Sequence, residues 1–385
     1  MCILEENTMN NTLLLAIVLG VCIVSTPALA TENSTFTCGV ILPLSGDAGA
    51  SGTDLLQGIQ LAAEKINLNG GAAGYQIDLR IADDQGDPQR ALSLFQEMVT
   101  DEIPVVIGSK TTNLTLPMAK MTKDTKGTVL ISPRANGEAL YGISPRFYQV
   151  NPPIFSLAKF ITKWLGYTSD RLAVIYVDDE YGQSFLKNIK AGLTNSSIPI
   201  TGAEPVTKDT DYSVLSHRII NDAPDTIVIC LYDSRQIPIL ENLSDAGFRG
   251  QVVLTESLFI DTLETEESDI ISKFSLFTIS SNSYLVPGSR SDDFVASYTE
   301  SFGKDPSRST AGYGYDSMML IADAMRLGGE KTNISAETIQ KGLDVSCYYG
   351  VSGPKVFDSH HAVITAMDRR VLKDGKFELM ETSLA

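Results

Sequence analysis

The chain of 385 residues carries 47 Asp and Glu against 30 Lys and Arg, a formal net charge of −17. That balance argues against a nucleic-acid surface, which needs clustered Lys and Arg, and otherwise reads as an ordinary acidic exterior that keeps a protein in solution. The length exceeds what one hydrophobic core usually organises, so two domains are expected.

In chain order, the first feature is an apolar run from Leu13 to Val24. It is too short for a bilayer, which needs about 20 residues, and it ends in Ala28-Leu29-Ala30, a small-residue cleavage pattern. Residues 1–30 are therefore read as a secretory signal peptide cleaved after Ala30, although no Lys or Arg precedes the run. Cys22 invites a lipid anchor, but Val21 stands where such sites take Gly or Ala, and none is expected. No later segment reads as a membrane span.

Cys38 to Leu42 is a buried strand in the making, stopped by Pro43 and Gly46. A small polar loop, Ser45 to Gly52, leads to a helix from about Thr53, with Leu55, Ile59, Ala62 and Ile66 on one face. Gln76 to Ala82 alternates like a strand and runs into Asp83-Asp84. Pro88 opens a second helix with Leu92, Phe95 and Val99 inward. Val105 to Ile107 is a short strand before the polar run Ser109 to Asn113, and a helix follows toward Lys123. Thr128 to Ile131 is the next strand, ended by Ser132-Pro133. This alternation is the signature of a parallel sheet covered by helices on both faces.

At Tyr148 to Pro153 the pattern breaks into extended chain, because a residue before proline avoids the helical region. We read it as a crossing between lobes. Alternation then restarts: a strand at Leu172–Val177, a helix through Phe185, Ile189 and Leu193, a strand-like Ile198–Val206, and a helix at Tyr212–Asn221. Thr226–Leu231 is a buried strand, the helix after it is capped by Gly247, and Val252–Leu254 is the next strand. Helices are expected over Ser291–Phe302, Gly312–Leu327 and Ser335–Gly342, and a late strand over Val363–Leu372. The expected fold class is α/β, two similar doubly wound parallel-sheet lobes with a multi-strand hinge. The lobes are placed at 31–150 plus about 284–350, and 151–283 plus about 351–385, with the late strand able to return to the first lobe. Hinge segments are expected near Val150–Pro153, Ser257–Ser283 and Cys347–Pro354.

Three cysteines remain after Ala30. Cys230 sits in a buried strand, while Cys38 and Cys347 could pair in an oxidising compartment or stay free thiols. No Cys/His spacing suggests a metal site, and His360-His361 read as surface residues. The chain has no Gly-x-Ser-x-Gly elbow, no phosphate loop and no Gly-x-Gly-x-x-Gly after a strand. Asp83-Asp84 and Asp178-Asp179 read as solvated loop acids, since adjacent strand residues point to opposite faces. Neither catalysis nor a cofactor is expected. Binding is the economical reading: the loops Ser45–Gly52, Ser109–Asn113 and Ser132–Asn136 all follow strands of one sheet. They offer hydroxyls, N–H groups and a helix N-terminus suited to a carboxylate. The second half offers Tyr181, Tyr232, Asp233 and Glu256 at strand ends, suited to a cation and an apolar body. Together they would close on a zwitterion.

The motifs Pro43-Leu-Ser-Gly46, Gln57-Gly58, Asp83-Asp84-x-x-Asp87-Pro88, Val-Ile-Gly108, Ile131-Ser-Pro133 and Asp179-x-Tyr181-Gly182 stand in a specific order. Gly312-Tyr-x-Tyr-Asp316 and Gly350-Val-x-Gly-Pro-x-x-Phe-Asp358 complete it. In this order and spacing the chain, from about Phe36 to Glu378, resembles the type I periplasmic binding proteins, in the branched-chain amino-acid-binding branch that serves ABC importers. The resemblance implies an exported receptor, periplasmic or at the cell surface. It would be a monomer that closes on an amino acid, branched-chain or related, and hands it to membrane permease subunits. The alternative is a sensor or regulator that binds an amide, urea or aromatic acid. Carried over, Thr111 and Thr112 hold the ligand carboxylate, Tyr181 and Tyr232 are the second-lobe aromatics, and Glu256 takes the ammonium. Asn136 falls where a second Thr is usual, and Ser51 where an aromatic often caps the ligand side chain. Arg134 and Ala135 complete the ligand-binding set with Asn136. Lys110 and Arg134 stand where small or apolar residues are common, either pointing away or facing a second anionic group on the ligand. The cysteine often found after the Asp-Asp pair is absent.

Overall fold

The computed structural model describes residues 34–125, 127–255, 268–281, 290–306, 310–330 and 332–384. Residues 1–30 and Glu256 lie outside that set, as does about half of the expected Ser257–Ser283 hinge segment.

The first sheet contains β1 (Ser34–Leu42), β2 (Tyr75–Asp83), β3 (Val105–Gly108), β4 (Val129–Ser132) and β5 (Phe147–Gln149), in the order β2-β1-β3-β4-β5. All its pairs are parallel. Helices α1 (Gly49–Leu68), α2 (Pro88–Thr100) and α3 (Thr112–Met121) connect the first four strands. The two-residue period sorts the side chains onto two faces. Val40, Val105, Ile107, Val129 and Ile131 enter one core with α1, while Ile41, Val106 and Leu130 enter another with α2 and α3. A sheet buried on both faces explains why these strands read as continuous apolar runs.

Helix α4 (Ile154–Thr168) begins the second lobe. It is followed by β6 (Leu172–Val177), α5 (Glu180–Gly192), β7 (Ile200–Val206), α6 (Tyr212–Asn221), β8 (Thr226–Cys230), α7 (Asp233–Asp245), β9 (Gln251–Thr255) and β10 (Ser275–Ser281). Then α8 (Arg290–Phe302), α9 (Ala311–Leu327) and α10 (Ala336–Val345) return to the first lobe. Phe294, Tyr298, Met318, Ile321 and Ile339 join the α1 core there. A small antiparallel sheet, β11 (Tyr348–Gly350), β12 (Gly353–Phe357) and β13 (Val363–Ile364), precedes β14 (Ala366–Lys373) and β15 (Lys376–Leu384). These last two strands add antiparallel to β10, giving the order β15-β14-β10-β9-β8-β6-β7. The protein is thus a two-lobe α/β fold whose second sheet is mixed. Its chain passes between the lobes after β5, between β10 and α8, and again between α10 and β14.

Two local differences from the sequence reading have physical causes, and one open alternative is resolved. Helix α1 begins at Gly49, not near Thr53. Its first turn lies directly on the end of β1, where a Cβ on Gly52 would sit 1.8 Å from the Pro43 carbonyl oxygen. The expected late strand is two strands, because Val363–Ile364 pairs with β12 while the chain from Ala366 pairs with β10. Cys38 is buried in β1 and Cys347 is exposed, and both are free thiols.

Helices α1 and α9 approach closely enough to exclude side chains. A Cβ on Gly58 would stand 2.0 Å from the Ala311 carbonyl oxygen, and one on Gly314 would stand 2.1 Å from that of Leu55. At the third passage a charged pair is fully enclosed. Asp316 of α9 accepts the Val351 and Ser352 backbone N–H groups at 2.8 Å each, together with the Ser352 hydroxyl. Lys355 donates to the Ser352 carbonyl at 2.8 Å, stands 3.8 Å from Asp316, and lies 4.8 Å from the Tyr313 ring centre.

Candidate functional site

Both sheets reverse their winding at one place: between β1 and β3 in the first, and between β6 and β8 in the second. Crevices in open α/β sheets form at such points, outside the carboxyl ends of the strands. A cavity of about 400 Å³ lies there. Gly46, Ala48 and Ser51 line it after β1, Gln85 and Gly86 after β2, and Lys110, Thr111 and Asn113 after β3. The opposite lobe contributes Tyr232 and Arg235 after β8.

Three members of the two acid pairs, Asp83, Asp84 and Asp179, correct the sequence reading by holding groups around the cavity, while Asp178 is a solvent-exposed acid as expected. Asp83 accepts the Leu44 N–H at 2.8 Å and the Ser45 hydroxyl at 2.7 Å, which fixes the loop after β1. Burial pushes its carboxyl up, but these donors, with the Gln85 N–H, bring it below its ordinary value. Asp84 points to the other face, fully buried, and accepts the Ser109 hydroxyl at 2.7 Å, which fixes the loop after β3. Burial raises its carboxyl in spite of that bond. In the second lobe Asp179 caps α5 through the Gly182 N–H at 3.2 Å and accepts the Tyr232 hydroxyl at 2.6 Å. Burial raises Asp179, against the pull of Tyr232 and of the nearby Arg235 charge. Tyr232 is held well above its ordinary range by burial and by Asp179, so its phenol stays a donor.

Of the residues expected in the site, Ser51, Thr111 and Tyr232 line the cavity. Tyr181 is buried and stacks on Tyr232, ring centres 5.6 Å apart. Thr112 is buried beside the cavity loop, its hydroxyl accepting the Gly137 N–H at 3.0 Å. The segment Arg134 to Asn136 is fastened to the first interlobe passage. The Arg134 carbonyl accepts from the Asn151 amide at 3.0 Å, that of Ala135 from Gln149 at 3.3 Å, and that of Asn136 from the Ile154 N–H at 2.8 Å. The Arg134 guanidinium lies over the Tyr313 ring, 5.0 Å from its centre. Glu256 lies outside the described residues. Lys110 lines the cavity. Arg235 has no sequence signal: it is one polar residue in the first turn of an ordinary helix.

A polar latch joins the lobes beside the cavity. Glu138 of the first lobe meets Lys187 at 2.8 Å and Asn188 at 2.9 Å on α5, and Glu180 of α5 accepts the Ala139 N–H at 2.8 Å. The Lys187 hydrogen bond, with that of Asn188, holds the Glu138 carboxyl below its ordinary value. A depressed carboxyl contributes fully above its ordinary value of 4.5 and loses that contribution as pH falls through the depressed one. Lys187 is exposed, so the pair is worth at most about 1 kcal/mol. Glu138→Gln is expected to lower stability by up to about 1 kcal/mol at pH 7, and by progressively less as pH falls below 4.5, read by urea unfolding. A loss that does not change with pH would show that the latch charge contributes nothing.

The periplasmic binding protein family profile matches residues 35–376. A Leu/Ile/Val-binding protein homolog from Brucella melitensis is 28% identical over 228 residues, 58% of this chain and 61% of that protein. The Leu/Ile/Val-binding protein of Escherichia coli is 25% identical over 57% of this chain and 60% of its own length. The chain thus aligns with about three fifths of these curated relatives. Among solved structures, LivJ of Streptococcus pneumoniae, in complex with isoleucine, covers 91% of this chain and 99% of its own, with a TM-score of 0.79 and 22% identity. A solute-binding protein of R. palustris in complex with benzoate covers 91% and 98%, with a TM-score of 0.81 and 15% identity.

Proposed function

Because the chain belongs to the periplasmic binding protein family, we propose that it is the exported solute receptor of an ABC importer. It closes two lobes on an amino acid or related small polar solute and presents the closed form to membrane permease subunits. The observation that carries this reading is the interlobe cavity of about 400 Å³, walled by strand-end loops of both lobes at their switch points. The volume suits a molecule of amino-acid size. Thr111, Thr112 and the start of α3 take the ligand carboxylate, Tyr181 and Tyr232 flank its body, and Glu256 takes its ammonium. The first lobe comprises 31–150 and about 284–350, and the second comprises the remainder of the mature chain. Residues 1–30 are the leader. Closure shifts a population between open and shut forms, and the solute stabilises the shut one. The protein does no chemistry of its own.

The test is a thermal-shift screen over amino acids, amides and aromatic acids, followed by calorimetry on Glu256→Ala. An amino-acid ligand should lose binding by about 100-fold or more, because its ammonium would be buried unpaired. Unchanged affinity would sink the amino-acid assignment.

A further inference from the structure

We propose that this cavity selects a solute with a second anionic group, an acidic amino acid or a dicarboxylate, and that Arg235 makes the selection; the proposal rests on the solute-receptor reading above. Lys110 and Arg235 line the same cavity from opposite lobes. The carboxylate among its described lining residues is Asp47, which stands exposed. Asp179 lies behind the wall with both oxygens engaged, one by the Tyr232 hydroxyl at 2.6 Å and the other by the Gly182 N–H at 3.2 Å. Arg235 feels its charge, yet the Nη1 of Arg235 is shut off from solvent and has no hydrogen-bond partner among the described residues.

A desolvated guanidinium donor without an acceptor is unfavourable, and one closed over a neutral side chain stays so. A carboxylate is the geometric match for the guanidinium fork. The first lobe already offers one carboxylate seat, at Thr111 and the start of α3. Arg235 faces the cavity from the other lobe, so the group that satisfies it is a different one. Shutting the lobes would bring that group to the orphaned donor, which makes closure itself depend on the second charge.

The experiment uses the purified protein with L-glutamate and glutarate as acidic probes and L-glutamine and L-leucine as neutral ones. Glutamate or glutarate is expected to bind at least about tenfold more tightly than glutamine, with an affinity that falls as salt rises. Arg235→Gln should abolish that acid-over-neutral preference, a loss of about tenfold or more, and Arg235→Lys should retain part of it. The salt titration of the unaltered protein reads the same property should the variants fold poorly. Preference for glutamate over glutarate would identify an acidic amino acid, and equal binding would identify a dicarboxylate. Tighter binding of leucine or glutamine, with a preference that Arg235→Gln leaves unmoved, overturns this inference and leaves the receptor reading standing. Binding of no solute, in these four or in the wider screen, overturns both.

Discussion

Lys355→Met should lower stability by about 3–5 kcal/mol, the usual consequence of removing one partner from a buried ion pair. Lys355 and Asp316 are enclosed, with side chains 1% and 0% exposed. Met preserves most of the apolar stem and deletes the ammonium, so packing changes little and the effect reports the charge. Asp316 would keep its backbone and Ser352 donors but carry an uncompensated negative charge. Burial already raises this carboxyl against the pull of Lys355, and the variant should raise it further. A raised carboxyl favours the protonated folded state, so the deficit of Lys355→Met should shrink as pH falls toward that value. Adding Asp316→Asn should recover much of the loss. Urea unfolding at pH 7 and pH 5 measures all three. A single variant within about 1 kcal/mol of the parent at pH 7 would mean that water reaches the pair.

Gly58→Leu should prevent the first lobe from forming. The nearest atom to a Cβ at Gly58 is a backbone oxygen of α9, 2.0 Å away, which cannot swing aside as a side chain could. The helices would have to separate along their contact, opening the core that holds Leu55, Ile59, Met318 and Ile321. Overpacking in a responsive core costs about 1–3 kcal/mol, and a backbone collision belongs at or above the upper end. The expected result is loss of soluble protein, or a melting temperature lowered by about 10 °C in what survives. Gly58→Ala should show a smaller loss of the same sign. A melting curve for Gly58→Leu that overlays the parent would disprove the close contact.

Much of the architecture was legible because periodicity is local. Val105-Val106-Ile107 announces a strand buried on both faces, and the spacing of Leu55, Ile59, Ala62 and Ile66 announces a helix. The loops after β1 and β3 were legible as strand-end loops for the same reason, and both line the cavity. What escaped depends on partners far along the chain. Asp84 finds Ser109, Asp179 finds Tyr232, and Asp316 finds Ser352, and no window of sequence contains both members. An acid pair at a strand end looks solvated until the fold brings a donor to it. Gly350 marked a motif without a reason; a Cβ there would lie 2.3 Å from the Asp316 carboxyl. Arg235 escaped because only the meeting of two lobes gives it a setting.

The three passages of chain between the lobes have a mechanical consequence. Two rigid bodies tied at one point can swing and twist in any direction. Tied at three places, they lose most of that freedom. Tyr232 and Arg235 would then return to Ser51 and Thr111 in the same register at every cycle. In the receptor function proposed above, the orientational entropy that two separate halves would lose on meeting is removed at folding, before a solute arrives. Affinity can then follow from a few contacts around a small molecule.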